Sequence, residues 1–342
     1  MERRTFLKEA GKYTVMSVAG LTLLQSALFA KTGEPELNKL LYARQNHDNM
    51  LNNIVYENVS TTVKLRGRDV RIHALCTGTV AVKNAFRTKR GPGALAKLNM
   101  LFDGTYTDYM PIWVWVIEHP EGIMIIDTGE TALVNDRQKY LARENAFSRY
   151  ISEHTAQFII NDDDSLEHQL DKVNIKIQDV KLVVLTHLHI DHTDGIRFFA
   201  KTEIMVNRFE FEHPYHNVPT TYPAWFKPKL VDYKQNQAEI FERAYPVTVA
   251  GDLLYVPTPG HTHGHSSVIF KTDDFDIVFA GDATYNQNQL LNHELAGVNA
   301  DFDKTKNTYK NLLAYGALRK TIYLPSHDEE SGKRLAQRQF LI

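Results

Sequence analysis

Residues 185–195 read Leu-Thr-His-Leu-His-Ile-Asp-His-Thr-Asp-Gly, placing three of the chain's fifteen histidines and a carboxylate within six residues. Neutral imidazoles and carboxylates are ligands for first-row divalent metals, Zn²⁺ above all, and also Fe, Mn or Co. A single loop histidine is ordinarily a solvated or hydrogen-bonded residue; three in the order His-x-His-x-Asp-His form a metal-binding pattern. Side chains alternate along an extended loop, so His187 and His189 share a side. Asp191 and His192 fall at the turn that follows and can serve a neighbouring position. One loop can thus supply ligands to two adjacent metals. The single cysteine, Cys76, provides neither an intramolecular disulfide nor a thiolate cluster, so a metal here rests on imidazoles and carboxylates.

The elements that must position this loop can be read from hydrophobic periodicity. Lys181–Thr186 is a strand candidate and Thr193–Ala200 a helix candidate, which puts the histidines at the carboxyl end of a strand, where α/β proteins place chemistry. Further strands are expected at Val70–Cys76, Ile112–Glu118, Ile123–Asp127, Glu203–Val206, Leu253–Pro257, Ser267–Lys271, Ile277–Ala280 and Thr321–Pro325. Helices are expected at Thr131–Ser152, Ser165–Val173, Phe209–His213 and Lys304–Lys320. Runs such as Ile112-Trp113-Val114-Trp115-Val116-Ile117 are apolar on both parities and imply sheets covered on both faces. The expectation is a layered α/β sandwich with two central sheets.

A hydrophobic share of 43% and a charged share of 23% are those of a globular protein. A net charge of −2 supplies no field that would recruit nucleic acid or an anionic membrane. Residues 1–30 stand apart: Arg3-Arg4-Thr5-Phe6-Leu7-Lys8, then a mild apolar run to Ala30, resemble a twin-arginine export signal. The run is too short and weakly apolar for a comfortable membrane span. Cleavage after Ala30 removes four basic and two acidic side chains and takes the net charge from −2 to −4. The implied destination is the periplasm or the exterior, with no stable membrane anchor after processing. Residues 31–69 are expected to form an extension and 70–342 the catalytic domain.

The motif His187-x-His189-x-Asp191-His192 resembles the signature of the metallo-β-lactamase-fold hydrolases. Asp127-Thr128-Gly129, Thr258-Pro259-Gly260-His261-Thr262-His263-Gly264-His265, Gly281-Asp282 and Pro325-Ser326-His327 follow in that family's order. The resemblance implies an αββα sandwich with its site along one edge. Carried over, His187, His189 and His265 hold a first metal, Asp191, His192 and His327 a second, and Asp282 bridges them. His261 and Asp127 are assigned supporting places, and His263 has no reading. The remaining eight histidines, His216 among them, belong to no motif. Two such metals generate hydroxide at neutral pH and polarise a carbonyl. Histidine at 189, where similar di-iron redox proteins carry glutamate, argues for hydrolysis.

Asp282-Ala283-Thr284-Tyr285 resembles the N-acyl homoserine lactonase branch, the quorum-quenching members of the family. The resemblance implies ring opening of a small-molecule lactone by a metal-bridging hydroxide. Tyr285 would then hydrogen-bond the substrate carbonyl and Asp191 would protonate the leaving alkoxide. The alternative is a glyoxalase II-like thioesterase, whose basic C-terminal segment would have to be Lys333 and Arg334. A nuclease is disfavoured by the acidic charge, and a non-catalytic scaffold by the complete ligand set. The aromatic segment Phe209–Phe226 and the stretch Ala85–Tyr109 are candidate substrate walls; a homodimer is compatible with everything above.

Overall fold

The computed structural model describes residues 56–235 and 240–342. The expected export signal and most of the expected extension lie outside the described residues. Among the described residues, no helix is long and apolar enough to cross a membrane.

The first sheet begins with a hairpin of β1 (Val59–Leu65) and β2 (Arg68–Val82). Arg66 and Gly67 both have positive φ, as a two-residue hairpin turn matching strand twist requires, and the Asp273 carboxylate accepts both backbone N–H groups. β1 falls within residues assigned to the extension, yet it is an edge strand of this sheet. β2 was expected to stop at Cys76. It continues to Val82 because a register shift between Cys76 and Thr79, with Gly78 at φ 110°, absorbs the apparent break.

β3 (Met110–His119), β4 (Gly122–Ile126), β6 (Val180–Val184), β7 (Glu203–Asn207) and β8 (Lys229–Val231) extend the sheet in that order, and β5 (Ala156–Ile159) pairs with β2. Pairing is antiparallel up to β4 and parallel from β4 to β8. The second sheet runs β14 (Thr321–Pro325), β13 (Asp276–Gly281), β12 (Ser266–Lys271), β11 (Leu253–Pro257), β10 (Arg243–Pro246), β9 (Lys234–Gln235). Each expected strand lies within or overlaps an observed one. The short polar strands β8 to β10 carried no periodic signal.

The sheets pack face to face. Trp115 of β3 meets Phe279 of β13 at 5.4 Å between ring centroids, and the Tyr255 hydroxyl of β11 donates to the Leu185 carbonyl at 2.7 Å. Alternate residues of the second sheet, Val256, Ile269, Val278 and Ala280, point outward onto Tyr309, Leu312 and Tyr315 of the helix Phe302–Leu318. That arrangement buries both faces, as the doubly apolar runs require. The expected helix Thr131–Ser152 is broken: Ala132–Asn135 and Arg137–Tyr140 are single turns, with Asp136 capping the second, before a helix over Ala146–Thr155. The result is the expected αββα sandwich.

Candidate metal centre

Five strands end at one edge of the sandwich and hand over their next residues to a common site. β4 leads to Asp127, β6 to His187, His189, Asp191 and His192, β11 to His261, β13 to Asp282 and β14 to His327. Within the first ligand loop, Ile190–Thr193 forms a helical turn and Asp194–Phe198 a tighter one, so His192 is carried on a helix rather than before it.

Two clusters of ligand atoms form. His187, His189, His261 and Asp282 bring one atom each to within 4.8 Å of one another, and so do Asp191, His192 and His327. In the first, His189 Nδ1 is 3.0 Å from both His187 Nε2 and His261 Nε2, and Asp282 Oδ2 is 3.3 Å from His261 Nε2. In the second, His327 Nε2 is 3.4 Å from Asp191 Oδ2. Asp282 Oδ1 is 3.2 Å from His192 Nε2 and 3.3 Å from His327 Nε2. Asp282 therefore faces the two clusters with different oxygens. His192 Nε2 and Asp282 Oδ1 are buried and make no hydrogen bond among the described residues. Such stranded polar atoms are costly unless a cation satisfies them, so the donor set fits divalent metal.

His265 is not where the sequence placed it. Its Nε2 accepts from the Asp282 backbone N–H at 3.0 Å and its Nδ1 faces the Thr258 carbonyl and hydroxyl at 3.1 and 2.9 Å. Both ring nitrogens are committed, and the residue holds the Asp282 turn from behind. His261 takes the ligand position instead. Three histidines alternating in Thr-Pro-Gly-His-Thr-His-Gly-His are indistinguishable by type; only the turn after β11 decides which ring faces the cluster. His263 packs against Tyr215 at 5.5 Å, outside both clusters. Asp127 supports as expected: its carboxylate accepts from Thr186 N and Oγ1 at 2.7 Å each and lies 2.8 Å from His192 Nδ1.

Electrostatics follow the carboxylates. Burial opposes charge on His192 and His327, but Asp282, with Asp127 or Asp191, outweighs it; His192 is held well above the ordinary imidazole range and His327 is raised to about 10. Burial, reinforced by neighbouring imidazoles, pushes His187 and His261 well below it. Burial also raises Asp191, but His192 and His327 override it and hold the carboxyl at about 2.

Sequence reasoning missed Glu210. This buried carboxylate accepts from Leu188 N at 3.1 Å, Thr262 Oγ1 at 2.7 Å and Gly264 N at 3.0 Å. It thereby joins the loop carrying His187 and His189 to the loop carrying His261. An acidic residue amid Phe209, Phe211 and Tyr215 was the available signal. The clusters open into a cleft of about 720 Å³, counting its mouth, with Tyr285 beside them and Val80, Val82, Phe86, Val218 and Val298 along its walls. Both expected substrate walls thus contribute, through Phe86 and Val218. The Tyr285 ring lies 5.8 Å from that of His327, and its hydroxyl makes no hydrogen bond among the described residues.

The sequence profile of the metallo-beta-lactamase superfamily matches residues 107–327, and the chain belongs to that superfamily. The chain is similar to the N-acyl homoserine lactonase of Bacillus cereus, 29% identical over 227 residues, spanning 66% of this chain and 84% of the relative. Its fold is similar to a crystallised N-acyl homoserine lactone hydrolase with N-hexanoyl-L-homoserine at its catalytic metal centre, at TM-score 0.62 and 20% identity, covering 80% of this chain and 96% of that one. A second structure of like fold is AidC, described as a dizinc quorum-quenching lactonase, at TM-score 0.53 and 17% identity, covering 80% and 92%.

Proposed function

We propose that this chain is a dinuclear metal-dependent lactonase that opens the ring of N-acyl homoserine lactones or related lactones. The observation that carries the reading is Asp282 facing two ligand clusters with separate oxygens, beside a Tyr285 hydroxyl free to meet a substrate. Zinc is the metal expected at both positions. Such metals, held by His187, His189 and His261 on one side and Asp191, His192 and His327 on the other, supply Lewis acidity to the carbonyl and acidify water.

The remaining chemistry falls to side chains. Burial, then Asp282 and Asp191, push the Tyr285 phenol well above its ordinary range, so it stays protonated and donates to the carbonyl oxygen as charge develops there. Asp191 is ionised and can take the proton from the attacking water as oxygen bonds to the carbonyl carbon. When the ring C–O bond breaks, the same proton returns to the alkoxide and yields the open hydroxy acid. The thioesterase alternative loses support at its basic segment. Arg334 is buried and spends its guanidinium on the Tyr323 carbonyl and Asp328, and Lys333 pairs with Glu330. Export through the Arg3-Arg4 signal, placing the mature enzyme outside the cytoplasm, belongs to the same proposal.

The test is to measure metals per chain and compare N-hexanoyl and N-decanoyl homoserine lactone with S-lactoylglutathione and a β-lactam. Two metals per chain and preferential lactone hydrolysis are expected; preference for the thioester would overturn the assignment. Tyr285→Phe should reduce lactone turnover about 10- to 100-fold with metal content intact, the scale of one lost oxyanion donor.

A further inference from the structure

His216 is a side chain in the cleft that neither cluster uses. Its backbone lies in the left-handed region at φ 57°, where residues bearing a Cβ are uncommon and where strain gathers at functional sites. Asp127, behind His192, is another of the few non-glycine residues with positive φ among those described. His216 lines the same cleft as the two clusters and Tyr285 and is exposed to it. Its ring packs edge-on against Tyr215 at 4.2 Å, and among the described residues its nitrogens make no hydrogen bond.

The segment carrying His216 is pinned on both sides. The Tyr215 carbonyl accepts from His189 Nε2 at 3.0 Å, tying the preceding residue to the ligand loop. On the other side Val218 and Pro219 are buried. The segment is thus anchored on either side of His216, whose polar ring lines the cleft. A neutral imidazole offers one N–H donor and one lone pair.

A plain lactone has no further use for these groups, since its carbonyl is met by Tyr285 and the clusters. An amide on the carbon beside that carbonyl does, having one acceptor and one donor of its own. The apolar walls at Val80, Val82, Phe86 and Val298 suit the chain beyond such an amide. We propose that His216 hydrogen-bonds the amide of an N-acyl substituent, making it the residue that distinguishes N-acylated lactones from simple ones; this rests on the lactonase reading above.

The test compares N-hexanoyl homoserine lactone with γ-caprolactone, which has the ring but no amide, on the full metal-loaded chain. His216→Gly removes the ring and accepts the left-handed backbone; His216→Asn accepts the same backbone and keeps a donor and an acceptor. His216→Gly should lower kcat/KM on the N-acyl substrate about tenfold, chiefly through KM, a loss on the order of one hydrogen bond. Turnover of γ-caprolactone and metals per chain should stay within about twofold, and His216→Asn should restore part of the N-acyl preference. Equal losses on both substrates, or no loss on either, would overturn the role of His216 while leaving the lactonase reading standing. Hydrolysis of neither lactone by the wild type would overturn both.

Discussion

Glu210 joins one ligand loop from each half of the sandwich, and replacing it with alanine should separate them. The substitution strands the Leu188 and Gly264 N–H groups and the Thr262 hydroxyl, all three bonded to the carboxylate in a buried site. Each stranded donor costs about 1–3 kcal/mol. Part of that is recovered because burial already opposes the ionised carboxyl, raising it to about 7. A net loss of about 3–5 kcal/mol is expected, or a fall in Tm of roughly 6–20 °C for a body of this size. Glu210→Gln retains one acceptor oxygen and should lose about half as much. Leu188 lies between two ligands and Thr262 directly follows a third, so metal affinity should fall with stability. Thermal unfolding with and without zinc reads the first, and competition with a chromogenic chelator the second. If Glu210→Ala unfolds within about 1 kcal/mol of wild type and competes equally for zinc, Glu210 does not join the loops.

Other substitutions probe the site from different sides. His261→Ala should lose about one metal per chain by elemental analysis, whereas His265→Ala should retain a ligand complement at the first cluster and show mainly lower stability; the reverse pattern would restore the sequence-based assignment. Gly129→Ala should destabilise by more than about 2 kcal/mol in chemical denaturation, because a Cβ would sit 2.1 Å from Thr77 Oγ1 on a backbone at φ 67°. Burial pushes the Cys76 thiol up to about 12, so a thiol-specific reagent at pH 8 should modify it only after denaturation; rapid labelling of the folded protein would contradict its enclosure.

Much of this protein is determined by local sequence. The doubly apolar runs of β3 and β6, rich in β-branched and aromatic residues, read as covered strands, and both are almost wholly buried. The spacing His187-x-His189-x-Asp191-His192 supplies side chains of one loop to both ligand clusters, and Asp282 and His327 sit one and two residues beyond strands readable from their own periodicity. Where residue types were degenerate, tertiary structure decided. His261 and His265 share a turn and a chemistry; the Asp282 N–H reaching back to His265 Nε2 makes one a support and frees the other for the cluster. Glu210 lies in an aromatic segment, and its partners Leu188, Thr262 and Gly264 come from loops that are distant in sequence. Ligand types are written in short-range spacing, but which histidine of the Thr258–His265 segment faces the cluster depends on hydrogen bonds closed only in the folded chain.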